Sequence, residues 1–154
     1  MGLFGKEAFD LFQSCSQVIP KPRRVIRSHI MNGKTNEETV VFVYGTLRRG
    51  GSNAWRMEGA TFIEAATALG HLYHVDWYPG AIFNQAAASV ILGELYTIPS
   101  EPLRQLDVFE GEEYERIKIV VTASSQQQYE AWAWQYLPPT EHLSKIPSGD
   151  WFSV

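Results

Sequence analysis

Two short stretches of this chain carry residues that could do chemistry. The first is a carboxylate on the apolar side of a helix. Residues 100–110 read as helical: Ser100 is a good N-cap, Pro102 is tolerated in the first turn, and Gly111 suits the C-terminal cap. At about 100° per residue, Leu103, Leu106 and Phe109 form one apolar arc, and Glu110 falls between the two leucines. Glu101, Arg104, Gln105 and Val108 take the solvent arc. An ionised carboxylate pressed into apolar surroundings is costly, so its pKa rises. The partial negative charge at the carboxyl end of a helix pushes the same way. Such a glutamate can take up a proton and return it near neutral pH. The helical wheel alone also fits a carboxylate exposed at a frayed end, or one paired with Arg116. Asp107 lies close by on the wheel, either as a second, coupled carboxylate or in a cap or ion pair.

The second stretch is Tyr44-Gly45-Thr46-Leu47. A turn leaving a buried strand exposes backbone N–H groups that no ladder satisfies. A glycine lets the chain bend so that these donors converge into an anion-binding nest. Thr46 can add a hydroxyl, and Arg48 or Arg49 a positive field. The same residues also fit an ordinary β-turn into a surface loop. The spaced glycines of a dinucleotide loop and the Gly-Lys-Ser/Thr of a P-loop are both missing.

The elements that must hold these residues are mostly strands. Val40–Tyr44 is a continuous β-type apolar run, which predicts a strand buried on both faces. A short helix could start at Asn53. Strand patterns follow over 61–69, 70–75, 81–83 and 90–97, with Tyr78-Pro79-Gly80 as a turn signal. After the helix come strands over 114–122 and 129–136, the latter alternating Trp132 and Trp134 with Ala131 and Ala133. Glu94 falls in a strand beside Leu95 and Tyr96 and could point outward. Strands separated by turns, with one clear helix among them, predict a mixed α/β (α+β) fold, either a mixed sheet or a small barrel.

Residues 1–39 differ from the rest and read as an N-terminal extension, with the domain over 40–154. Phe4, Ala8, Leu11 and Phe12 fall at helical spacing, Pro20 and Pro22 end that pattern, and Asn32–Glu38 reads as a polar linker. The extension carries six basic and four acidic side chains and is +2, so with a chain total of −4 the domain is −6. That balance argues against nucleic acid as an electrostatic partner. The single cysteine, Cys15, can form no internal disulfide and favours a reducing, cytoplasmic setting. No apolar run reaches the roughly 20 residues of a membrane span. His71 and His74 look like a metal pair, but their spacing in a strand puts them on opposite faces.

Taken in order, the motifs resemble the gamma-glutamylcyclotransferase-like family. The resemblance runs from Val41 to Trp151. It comprises residues 42–50 around the glycine turn, Glu58-Gly59-Ala60, Tyr78-Pro79-Gly80, Gly93-Glu94-Leu95-Tyr96, residues 106–111 with Tyr114 and Arg116, and the tail 146–151. It implies a compact mixed α/β (α+β) fold, a small mixed β-barrel with a few flanking helices. It also implies cyclisation of a small-molecule γ-glutamyl substrate to 5-oxoproline, with release of the attached amine. Glu110 is then the acid/base, and Tyr44, Gly45, Thr46 and Leu47 bind the substrate. Arg48 and Tyr114 are further pocket candidates. No cofactor and no metal are implied. A related γ-glutamyl hydrolase or transferase, or a non-catalytic binding or regulatory module, would use the same pocket. The oligomeric state and the leaving amine are not specified by the sequence.

Overall fold

The computed structural model of the chain describes residues 28–31 and 34–154. The helix expected around Phe4, Ala8, Leu11 and Phe12 lies outside the described residues. The strands are β1 (Ser28–Met31), β2 (Lys34–Val43), β3 (Thr61–His74), β4 (Pro79–Phe83), β5 (Val90–Pro99), β6 (Tyr114–Ala123), β7 (Gln128–Tyr136) and β8 (Ser144–Lys145). One α-helix, α1 (Ser100–Glu110), is present among the described residues, with short 3-10 turns at Ala54–Met57 and Trp151–Ser153. Strands β2-β5-β3-β6-β7 pair in that order, and a parallel contact of Val41 with Trp132 closes β7 onto β2. The result is a five-stranded closed barrel, a mixed α/β fold. Strand β1 forms a hairpin with β2, while β4 and β8 pair with the far end of β3.

Side-chain alternation decides what fills the barrel and what covers it. Phe42 and Tyr44 point into the barrel, where Ile91 and Leu95 join them. Small residues on the facing strands, including Ala131 and Ala133, leave room for these rings. Val41 and Val43 point the other way and meet Leu103 and Leu106 of α1, together with Ile98 and Trp134. Strand β2 is therefore buried on both faces, as its unbroken apolar run predicts. Each of the two buried leucines contributes about 2 kcal/mol of apolar burial. Helix α1 is thereby pinned across the outside of the barrel beside β2.

Several local expectations need correction. The polar stretch expected as a linker does not stay one: residues 34–38 extend β2 and bring Glu38 opposite Pro99. The Tyr78-Pro79-Gly80 turn sits earlier, because Val75 and Asp76 N–H both donate to the Tyr78 carbonyl and Pro79 opens β4. Proline can begin a strand, where its missing N–H breaks no ladder. Residues 61–74 form one strand rather than two. Pro99, not Ser100, occupies the N-cap, and the Ser100 hydroxyl donates instead to the Glu37 carbonyl (3.4 Å). Gly111 caps the other end with φ 70° and donates to Asp107 O (3.3 Å). That left-handed backbone suits glycine, and it ends the helix at Glu110.

Candidate active site

A cavity of about 240 Å³ lies between the turn after β2, the β3–β4 loop and the end of α1. Buried side chains of Phe42, Tyr44, Leu47 and Trp134 make its inner wall. Glu110 lines it from the last turn of α1, and Tyr114 from the start of β6. Tyr44, Gly45, Thr46 and Leu47 all line it as well. The structure thus gathers six of the seven sequence candidates round one space.

Glu110 is half-buried. Its pKa is raised to about 7, chiefly by burial, then by the negative charge of Asp107, with Arg56 opposing. Asp107 itself is held in place by Arg116 Nε (3.1 Å) and by the Trp134 indole N–H (2.9 Å). Arg116 therefore pairs with Asp107, not with Glu110. Asp107 acts as an ion-pair partner and, in addition, as a fixed negative charge on its neighbour. Replacing Asp107 by Asn is expected to move the Glu110 titration down toward the ordinary carboxylate range, as following the Glu110 carboxyl carbon by NMR across pH will show.

The two phenols beside Glu110 do not titrate with it. Tyr44 donates to the Trp134 carbonyl (2.6 Å), and burial, then the Glu110 charge, raise its pKa well above the usual value. Tyr114 donates to the Pro79 carbonyl (2.7 Å) and is raised by burial first, then by Tyr44 and Glu110. Both therefore stay protonated while Glu110 changes charge. Their hydroxyls tie the turn after β2 to β7 and the start of β6 to the start of β4, which fixes the cavity walls.

The glycine turn is closed by its own hydrogen bonds. Arg48 N–H donates to Gly45 O (3.1 Å) and Asn53 N–H to Thr46 O (3.0 Å). Asn53 Nδ2 donates to Thr46 Oγ1 (3.2 Å). Among the described residues, these bonds leave the N–H groups of Gly45, Thr46 and Leu47 without an acceptor. Gly45 is required by close approach: a Cβ there would sit 2.6 Å from the Pro79 ring. The turn and the β3–β4 loop can meet only because that position is bare.

Arg48, a sequence candidate for the pocket, is placed elsewhere. Its guanidinium pairs with Asp150 (2.7 Å), approaches Glu94 (3.8 Å) and lies over the Phe152 ring. Asp150 and Phe152 belong to the C-terminal tail, which draws the arginine away from the cavity. Glu94 also corrects its expectation. It is buried rather than outward-facing, and its carboxylate accepts from the Arg49 N–H (3.1 Å) and the Tyr96 hydroxyl (2.7 Å). Glu94 thus anchors the far end of the glycine turn. The sequence held no local signal for it, because only the β2–β5 register sets Glu94 opposite Val43, the strand's last residue, and so beside Arg48 and Arg49. The aromatic and acidic rim formed by Trp77, Tyr78 and Glu113 had no such signal.

Comparison with known proteins identifies the family and the fold. Residues 41–153 match the family model described as gamma-glutamyl cyclotransferase, AIG2-like. The gamma-glutamylcyclotransferase family protein YtfP of Escherichia coli is 32% identical over 114 residues, covering 72% of this chain and 94% of its own. A putative gamma-glutamylcyclotransferase of Vibrio cholerae is 33% identical over 122 residues, covering 73% and 94%. The crystal structure of an AIG2-like protein from Mus musculus superposes with a TM-score of 0.64 at 25% identity, covering 73% of this chain and 88% of that one. The chain belongs to the gamma-glutamyl cyclotransferase, AIG2-like family.

Proposed function

We propose that the protein is a cyclotransferase that converts a γ-glutamyl amine or γ-glutamyl peptide into 5-oxoproline and the free amine. The observation that carries this reading is the convergence of Glu110 and the Tyr44–Leu47 turn on one cavity. The reaction asks for little else. The substrate's α-amine attacks its own γ-carbonyl, so a folded glutamyl chain supplies much of the rate through proximity. Glu110 as carboxylate takes the proton from the α-ammonium, and the freed nitrogen bonds to the γ-carbon. The tetrahedral intermediate collapses by breaking the bond to the leaving nitrogen, which receives the first proton back from Glu110; the ring nitrogen then gives up its second proton through the re-ionised Glu110, so that 5-oxoproline keeps one N–H and the amine departs as an ammonium. The unengaged N–H groups of Gly45, Thr46 and Leu47 are suited to hold the α-carboxylate or the developing oxyanion. No group outside the chain is needed for these steps.

The test is product analysis by mass spectrometry on a panel of γ-glutamyl amides and peptides. The expected result is 5-oxoproline and free amine in equal amounts. Free glutamate in place of 5-oxoproline would assign a hydrolase on the same pocket. Binding with no turnover of any panel member would assign a binding module and overturn the proposal.

A further inference from the structure

We infer that the mouth of the cavity selects leaving groups that carry a second positive charge, with Trp77, Tyr78 and Glu113 as the selecting residues. This rests on the cyclotransferase reading for the glutamyl half of the substrate and adds the chemistry of the other half. The inner wall is buried, whereas Trp77 is 59% exposed and Glu113 is exposed. Whatever is attached to the glutamyl group must therefore leave toward this rim.

The rim has one electrostatic sign. The charged residues lining the cavity are Glu110 and Glu113, and no Lys, Arg or His lines it among the described residues. The basic residues near the turn are committed elsewhere: Arg48 to Asp150 and Glu94, and Arg49 to Glu94 and the face of Phe62. Arg56 lies over Phe109 and Trp55, outside the lining. A carboxylate on the leaving group would meet no cation here, while an ammonium would meet two acidic side chains. Glu113 is also oriented. The Tyr78 hydroxyl donates to its Oε2 (2.8 Å), and the Tyr78 and Trp77 rings form a T-shaped pair at 4.9 Å between centroids. An oriented carboxylate beside an exposed indole is a cation site in both its parts, ion pairing and cation–π attraction. The anionic end of the substrate needs no arginine, because the turn offers it backbone N–H groups.

The test uses three γ-glutamyl amides of matched length, with diaminobutane (cationic), butylamine (neutral) or aminobutyrate (anionic) as the leaving amine. Turnover is measured with wild type, and binding is measured with Glu110→Gln, where the ligand is not consumed. Both rankings are expected to run cationic, neutral, anionic, with about a fivefold step each, as suits one partly exposed charge. Glu113→Gln narrows the ratio of cationic to anionic, and added salt does the same. A flat or reversed order in both measurements overturns the inference, even if 5-oxoproline is formed from every amide. The expected order in binding with no 5-oxoproline from any amide upholds the inference and sinks the cyclotransferase reading instead.

Discussion

Replacing Glu110 by Gln is expected to lower turnover at least about a thousandfold while raising stability at alkaline pH. Both effects come from one environment. General acid–base catalysis by a positioned side chain is worth roughly a hundred- to ten-thousandfold, and Glu110 serves both directions of proton transfer in the proposed mechanism. Glutamine keeps the shape but cannot carry the proton. The stability effect follows from linkage. Burial and Asp107 raise the carboxyl from 4.5 to about 7 in the folded chain. The folded state then binds the proton more tightly than the unfolded chain. Glu110 is therefore best tolerated below the unfolded pKa, and its contribution is lost as pH rises through about 7. Glutamine escapes that penalty. The variant should gain on wild type by on the order of 2 kcal/mol between about pH 5 and pH 8 in chemical unfolding. An inactive variant with no gain would mean that the carboxylate is less buried than the cavity suggests.

Replacing Glu94 by Ala is expected to cost about 3 kcal/mol or more of folding stability. Its carboxylate is buried and serves four partners: the Arg49 N–H, the Tyr96 hydroxyl and two guanidinium groups. Removing it leaves the Tyr96 hydroxyl, the Arg49 N–H and the buried Arg48 guanidinium without that acceptor, while the Arg49 guanidinium is exposed to water; stranding the buried donors is the expensive way to break such a network. Glu94→Gln keeps an acceptor and should lose less. Because the Arg49 N–H ends the glycine turn, the surviving folded fraction should show a raised KM for any γ-glutamyl substrate. Denaturant titration of both variants checks the order. Equal stability of wild type and the alanine variant would show that the network contributes nothing.

Much of this was legible before any coordinates. The β-branched apolar run of β2 reads as a strand covered on both sides, and Phe42 and Val41 do face opposite clusters. Glu110 was legible because a helix repeats at a known angle and Leu103 and Leu106 fix its buried face. The direction of charged side chains was not legible. Glu94 faces inward because its partners, Arg48 and Arg49, follow the neighbouring strand, and Arg48 faces away because Asp150 arrives from the far end of the chain. Such pairings depend on tertiary approach, which no local period encodes. The rim was hidden for the same reason. Trp77 and Tyr78 come from the β3–β4 loop and Glu113 from the turn after α1, and only the closed barrel brings them together.

The central claim is that Glu110 moves the proton in a cyclisation. It is tested most directly by the pH dependence of kcat/KM for 5-oxoproline formation, with the Glu110 carboxyl carbon titrated by NMR in the same protein. The base must be ionised to accept the α-ammonium proton, so kcat/KM should fall as pH drops through about 7, in step with the carboxyl titration. A Glu110 titration near the ordinary carboxylate value, or a rate that stays level while Glu110 becomes protonated, would contradict the account.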